Sequence, residues 1–473
     1  MTPQRPPTPP SGNDAAPAGG RSGWRWIALF AFALVVRCAC VFATKAVYSW
    51  DAFTRLLQHD DILVRHWLPL PQLPVHWLSA AGGDILVIRV VYAVVGAGAA
   101  TALGAFAGRA RGAFVGALAG LAIAALPVFV KYSIVPYQEG MALLFAGVYM
   151  LAAHRPEEPV PPPSAGIARA IVASFGMTCA VLCRYEMWGL ALLFAAGLVV
   201  RRTPRRLWMF APIAAAAIAW IAVLRMFPAD DPIEAGVASQ GIAQLLAAAV
   251  PKAAKAMSYM AGDLGWVGVP FALAGAWTSL RRGGWLGREL LIFWIALMSM
   301  VVLRAVNAST LTDRMALMPS VLSWIYCAVG AGEALERIER RYRSAAAIAA
   351  LAVVAAGLGA AAYAKCTAGS AKFGPEAGVT RLLLRLASEP DVGGVALRLR
   401  PIPNILDEDT ARAVFAGSLR LDPDDRRWIW RADDLARRGD AAGATVTFDP
   451  SIGLYRVRFR DGRRGEIVAS PMP

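Results

Sequence analysis

The chain has 473 residues, 57% of them hydrophobic, with a mean hydropathy of +0.49 and a formal charge of +15. Soluble domains hold roughly 45–50% apolar residues, so an ordinary water-soluble enzyme is excluded. The positive charge does not mark a nucleic-acid binder, because Arg and Lys fall in short breaks between apolar runs.

Residues 1–23 are polar and rich in Pro and Gly, which predicts a disordered cytoplasmic tail. Apolar runs follow near 26–47, 84–108, 113–131, 137–153, 167–183, 186–200, 207–227, 262–280, 289–305, 313–332 and 344–364. Each is long enough to cross a hydrocarbon core of about 30 Å as a helix. Lipid offers no hydrogen bonds to the backbone, so helices are the expected solution. The predicted fold is an all-α polytopic membrane bundle of about 11 transmembrane helices over 24–365, with a first outer loop at 48–83.

Basic residues set the orientation. They gather at Arg109 and Arg111, at 201–206, at Arg281, Arg282 and Arg288, and at 337–343. Short loops rich in Lys and Arg stay cytoplasmic. Counting spans from a cytoplasmic N-terminus puts all of these loops inside. The loop 48–83, the turns near 132–138 and 184–186, the stretch 228–261, the turn 306–313 and the chain after 365 then lie outside. A multi-pass protein of a bacterial-type inner membrane is expected. The first span has no small-residue cleavage site that would make it a removable signal.

The six cysteines lie in or at the edges of spans and read as small apolar packing residues; no CxxC pair suggests metal or redox work. Residues 236–255 carry Ile242, Leu245, Leu246 and Val250 on one helical face, which predicts a helix lying at the interface. Past 366 the apolar runs shorten, and a small extracytoplasmic α/β or α+β domain is expected over 366–473. In it, 379–386, 407–415 and 423–436 read as helices, the last capped by Asp422. Residues 392–399, 444–448 and 454–459 read as strands, the last two joined by a turn at 449–453.

Chemistry concentrates in the first outer loop. Asp51 opens it, and three of the four histidines, His59, His66 and His76, lie there with Asp60, Asp61 and Trp67. Other acids of the membrane half that map outside are Asp84, Glu139 and Glu186; Glu157 and Glu158 map inside. Ionisable groups close to lipid are costly, so they are paired, hydrated or functional. An outer carboxylate can take a proton from an acceptor hydroxyl, and arginine can grip a phosphate with two hydrogen bonds. Each residue also has a plainer use. Asp51 could cap a short helix, Asp60 and Asp61 could be solvated, and a His66–Trp67 pair suits an interfacial belt. Arg184 could pair with Glu186, Arg314 with Asp313, and Arg37 could pair or snorkel.

Several of these strings resemble one family. Arg37 precedes Asp51 by 14 positions, Pro69-Leu70-Pro71 leads to Trp77-Leu78, and Asp84 through Arg89 is followed by Gly108-Arg109-Ala110-Arg111-Gly112. Leu126-Pro127 is followed by Tyr132-Ser133 and Gln138-Glu139, and Asp313-Arg314 by Pro319. The pattern is similar to the GT-C glycosyltransferases, polytopic enzymes that use polyprenyl-phosphate sugars. It is nearest to the family-39, protein-mannosyltransferase-like group, which includes the aminoarabinose transferases of lipid A. Ala52 stands where that group usually has Glu, and Met315 where it has Tyr.

The resemblance implies transfer of a sugar from a polyprenyl-phosphate donor to an extracytoplasmic glycan, lipid or protein. Asp51 would be the catalytic acid and Glu139 a second one. Arg55, Arg184 and Arg314 would bind the donor phosphate. His66, Trp67, Asp60, Asp61, Tyr132, Gln138 and Glu186 would line the substrate site. No cofactor is required by the spacing, and a divalent cation, Mg or Mn, held by oxygen ligands is left open. A cell-envelope glycan polymerase or ligase, and a flippase for lipid-linked sugars, are the competing readings.

Overall fold

The computed structural model describes residues 23–45, 47–49, 68–153, 163–200, 204–226, 242–282 and 313–371, parts of 52–63 and 290–301, and strand residues between 395 and 468. Asp51, His59, Asp60, Asp61, His66 and Trp67 lie outside the described residues, as do 1–22 and 379–386.

Helix α1 spans Gly23–Ala43 and is followed by the short strand β1, Val47–Ser49. A 3-10 turn at Leu70–Gln72 leads into α2, Leu73–Ala80. Then come α3 (Ile85–Arg111), α4 (Ala113–Ala125), α5 (Pro127–Tyr132) and α6 (Gln138–Ala153). They are followed by α7 (Pro163–Val181), α8 (Glu186–Val200), α9 (Ala211–Met226), α10 (Ile242–Arg282), α11 (Asp313–Glu336) and α12 (Arg340–Ala371).

Local chemistry sets these boundaries. The Asp84 side chain accepts a hydrogen bond from the Ile85 amide at 2.6 Å and starts α3. Gly112, at φ 97°, separates α3 from α4 in a backbone state that favours glycine. Pro127 opens α5 at a position where its missing N–H costs nothing.

Among the described residues, four helices are long and apolar enough to cross a membrane: α1, α3, α11 and α12 up to Thr367. The apolar helices α4 and α6 to α9 are shorter. Large apolar side chains such as Ile27, Val35, Phe42, Phe175 and Leu192 face outward, as expected of surfaces that meet lipid tails. The protein is a polytopic helical membrane protein. Its core runs between α3, α4, α6 and α11, and α11 is the central helix, with 83% of its apolar window buried. Small residues allow the closest approaches, as in membrane bundles generally. A Cβ on Gly116 of α4 would stand 2.4 Å from the Gly108 Cα of α3.

Of the helix expected over 236–255, the described residues are helical from Ile242, where α10 begins. The run Ile242–Arg282 is two helical segments joined at a kink at Gly265, whose backbone (φ 69°, ψ 166°) is not helical. A positive φ there favours glycine.

In the chain after 395 the described residues are strands only. A six-stranded mixed sheet has the order β4-β5-β2-β6-β7-β8, with β2 Val395–Arg400, β4 Leu419–Asp422, β5 Arg427–Trp430, β6 Ala442–Asp449, β7 Leu454–Phe459 and β8 Arg464–Val468. The hairpin expected around 449–453 is present, with Phe448 opposite Tyr455. The helix expected over 423–436 is contradicted: 427–430 form β5, and Asp422, expected as its cap, ends β4. Trp428, Ile429 and Trp430 are strong strand formers, and pairing to β2 and β4 overrides the cap-like Asp-Pro start. Of the helix expected over 407–415 only Asp407 is described, and it closes the strand β3, Ile405–Asp407; 408–415 lie outside the described residues. That strand pairs antiparallel with β1, placing Val47 opposite Asp407.

Candidate functional site

The turn between α5 and α6 and the turn between α7 and α8 meet the first turn of α11. Glu139, in the first turn of α6, is 1% exposed. Its Oε1 accepts hydrogen bonds from Arg184 Nη1 and from Arg314 Nε, the latter at 2.7 Å. Arg184 also grips Glu186 with two bonds, Nε to Oε2 at 3.0 Å and Nη2 to Oε1 at 2.8 Å. Burial alone would lower the Arg184 pKa, but Glu186 and Glu139 more than reverse this and keep it above the ordinary arginine value. Glu139 Oε2 is buried with no hydrogen-bond partner among the described residues.

The Arg314 guanidinium lies over the Tyr137 ring, 4.2 Å from its centroid. Tyr137 packs edge-on against Tyr132 at 5.2 Å. The Tyr132 hydroxyl donates to Asp313 Oδ1 at 2.7 Å, and Lys365 Nζ lies 3.1 Å from Asp313 Oδ2. Adjacent residues of α11 therefore serve different partners: Arg314 goes to Glu139, and Asp313 to Tyr132 and Lys365. Asp313, considered from sequence as a partner of Arg314, pairs instead with Lys365, while the expected Arg184–Glu186 pair is present. On α10, Asp263 accepts a hydrogen bond from Ser320 of α11 at 2.8 Å.

Arg55, fully buried, donates to Gln138 Oε1, and Gln72 Nε2 donates back to the Arg55 carbonyl at 2.9 Å. The segment after α1 is thus tied to the residue preceding Glu139. Arg37 sits behind the same turn, buried in α1. Its Nε donates to Ser133 Oγ at 2.8 Å and its Nη1 to the carbonyls of Ala124 (2.8 Å) and Ala33 (3.1 Å). It neither snorkels nor meets an acid among these partners.

Seven predicted site residues therefore fall in one region: Arg55, Tyr132, Gln138, Glu139, Arg184, Glu186 and Arg314. Sequence reading missed Tyr137, Lys365 and Asp263 and gave Asp313 only as a neighbour of Arg314. A lysine near the end of the last apolar run is itself a signal, because a cation there needs a partner. Among the described residues no three His, Cys, Asp or Glu side chains gather closely enough to hold a metal ion.

No protein-family profile matches the chain, and no curated protein matches it by sequence. Solved structures do. ArnT from Cupriavidus metallidurans bound to undecaprenyl phosphate superposes with a TM-score of 0.61 at 16% identity, over 95% of this chain and 99% of that one. The apo state of that protein gives 0.57 at 14%, over 94% and 98%. The chain shares the fold of ArnT. A looser likeness, TM-score 0.48 at 15% identity, reaches the archaeal oligosaccharyltransferase AglB from Archaeoglobus fulgidus in complex with an inhibitory peptide and a dolichol-phosphate, over 78% of this chain and 58% of that one.

Proposed function

We propose that the protein is a membrane glycosyltransferase that moves a sugar from a polyprenyl-phosphate donor to an acceptor outside the cytoplasm. The observation that carries this reading is the convergence of Arg184 and Arg314 on one oxygen of a buried glutamate. Two guanidiniums, one from the turn before α8 and one from the first turn of α11, fixed in advance and partly shielded from water, suit a phosphate whose charge grows as it departs. The ArnT likeness supports a lipid-linked donor, since that protein was crystallised with undecaprenyl phosphate.

In this mechanism the acceptor hydroxyl oxygen attacks the anomeric carbon and the bond from that carbon to the phosphate oxygen breaks, with inversion. Asp51 takes the hydroxyl proton. Arg184 and Arg314, with Arg55 from the first loop, hold the leaving polyprenyl phosphate. Glu139 keeps the two arginines together and offers its free Oε2 to a substrate hydroxyl. Tyr132, Gln138, Glu186, Asp60, Asp61, His66 and Trp67 line the sugar and acceptor side. A divalent cation would need acids of the first loop such as Asp51 and Asp60, because Glu139, Glu186 and Asp313 are already matched to cations.

In our reading about 11 helices cross the membrane over 24–365, the N-terminus is cytoplasmic and 366–473 form an extracytoplasmic domain. The β1–β3 pairing supports this arrangement, because Val47–Ser49 after the first helix pairs with Ile405–Asp407 of the tail. Glycolipid profiles of a deletion strain complemented with wild type or with Asp51→Asn test the proposal. Wild type should restore one glycosylated product and the variant should not. Full restoration by the variant removes Asp51 from the chemistry.

A further inference from the structure

We propose that the end of the bundle opposite Glu139 binds the headgroup of an anionic glycerophospholipid. Among the described residues, three parts of the chain meet there: the α3–α4 turn at Gly112, the last turn of α10, and the turn between α11 and α12. Close packing fixes their approach. A Cβ on Gly332 of α11 would stand 2.8 Å from Val115 Cγ2 of α4, and one on Gly275 of α10 would overlap the Tyr326 carbonyl of α11. Arg282, which ends α10, then grips Glu333 of α11 through two contacts, Nη1 to Oε1 at 2.7 Å and Nη2 to Oε2 at 2.8 Å. Glu333 lies near the end of α11, whereas Arg314, which meets Glu139, lies at its start.

The region carries more cations than its own acids can match. Arg111, Arg281, Arg282 and the four arginines of 337–343 face three glutamates, Glu333, Glu336 and Glu339, so an excess remains however they pair. Arg341 takes Glu339 at 2.8 Å, and Arg343 donates to the Glu336 and Ile338 carbonyls that close α11. Arg109 is also occupied, since it donates to the Leu151 carbonyl. Arg111 and Arg281 are left over. Arg111 is half-buried, and its Nε has no hydrogen-bond partner among the described residues. Arg281 lies over the Trp277 ring, 4.5 Å from its centroid. The first turn of α12 adds arginines and holds no acid, an arrangement that the helix dipole disfavours and a nearby anion relieves.

The surface beside these charges selects a lipid over a free anion. Leu273, Trp277 and Leu280 of α10 and Tyr342 of α12 are exposed next to the arginines. Aromatic rings at this level suit the boundary between headgroups and tails. An arginine fork matches the two free oxygens of a phosphodiester, and basic clusters between helices hold anionic headgroups. A bias of Arg and Lys toward short loops sets only the side on which charges lie; it does not require three segments to converge beside an aromatic surface.

The full chain, purified in dodecyl maltoside, is titrated with dioctanoyl phosphatidylglycerol, and bound lipid is counted by native mass spectrometry. Dioctanoyl phosphatidylcholine, glycerol 3-phosphate and inorganic phosphate are titrated alongside. Phosphatidylglycerol should bind about tenfold more tightly than any of these, and Arg111→Gln with Arg281→Gln should remove most of that preference. Glu333→Gln releases Arg282 and should strengthen phosphatidylglycerol binding by roughly threefold, a gain that a misfolded variant could not give. Equal binding of the two lipids overturns the inference, as does an unchanged preference in the double variant or an unchanged affinity in Glu333→Gln. Glycerol 3-phosphate or inorganic phosphate binding as tightly as the lipid overturns it in favour of a free-anion site. Arg314→Ala should bind phosphatidylglycerol as wild type does; loss of binding there would place the lipid at the Glu139 cluster and overturn the inference. No arm reads sugar transfer, so this inference and the proposed function stand or fall separately.

Discussion

Arg184 and Arg314 share a single acceptor, Glu139 Oε1, although they lie 130 residues apart, one in the turn before α8 and one on α11. The glutamate neutralises two cations that would otherwise repel each other in a buried setting. Removing one partner of a buried ion pair costs about 3–5 kcal/mol, because the charge left behind is uncompensated. Glu139→Gln should therefore lower the thermal midpoint in detergent more than either arginine variant. Arg184→Gln should come second, since it strands Glu186 as well, and Arg314→Gln third, since Arg314 is the more exposed of the two at 14%. Melting curves for the three variants give the order directly.

The same pair fixes a binding prediction. A hydrogen bond to a charged group contributes about 1.5–3 kcal/mol, and about 1.4 kcal/mol is tenfold in affinity. Arg314→Ala should weaken undecaprenyl phosphate binding by roughly 10- to 100-fold, read as loss of the thermal shift the lipid gives wild type. Arg109→Ala is the control. Arg109 donates to the Leu151 carbonyl at the other end of α6, away from Glu139, and binding should stay within error of wild type.

How much of this was legible beforehand follows from scarcity. In a strongly apolar chain every charged residue needs an account, so Arg184, Glu186, Glu139 and Arg314 stood out, and the structure joins all four. Pairings set by tertiary packing were not visible. Nothing local says that Asp313 turns to Tyr132 and Lys365 rather than to the arginine beside it. The tail misled because Asp422-Pro423 imitates a helix start, while the sheet that makes 427–430 a strand is assembled from partners before and after it. The kink in α10 was hidden for a different reason: Gly265 sits inside an apolar run, and nothing local says that its backbone leaves the helical state there.

Tyr132→Phe isolates one bond of the second cluster. It removes the hydroxyl that donates to Asp313 at 2.7 Å and leaves the Lys365 pair in place. The carboxylate keeps one partner, so the loss should be about 1.5–3 kcal/mol, the range for a hydrogen bond to a charged group. Ring packing on Tyr137 is retained, and the fold should survive. Chemical denaturation in mixed micelles measures the change; a stability equal to wild type would mean that Asp313 finds an equivalent donor.

Two glycines near the site should respond in opposite directions to the same substitution. Gly96 of α3 lies under the Arg37 guanidinium, and a Cβ there would stand 2.6 Å from both Arg37 Nε and Ser133 Cβ. Arg37 cannot withdraw cheaply, because three bonds hold its buried head. Gly96→Ala should therefore cost about 1–3 kcal/mol, as overpacking usually does, and disturb the turn that carries Tyr137 and Glu139. Gly140, next to Glu139 on α6, meets nothing nearer than 3.8 Å. Its helix gains by losing a flexible residue, so Gly140→Ala should stabilise by roughly 0.5–1 kcal/mol. Thermal midpoints measured side by side should fall for the first variant and rise for the second. A rise for both would mean that Arg37 does not seat against α3 as described.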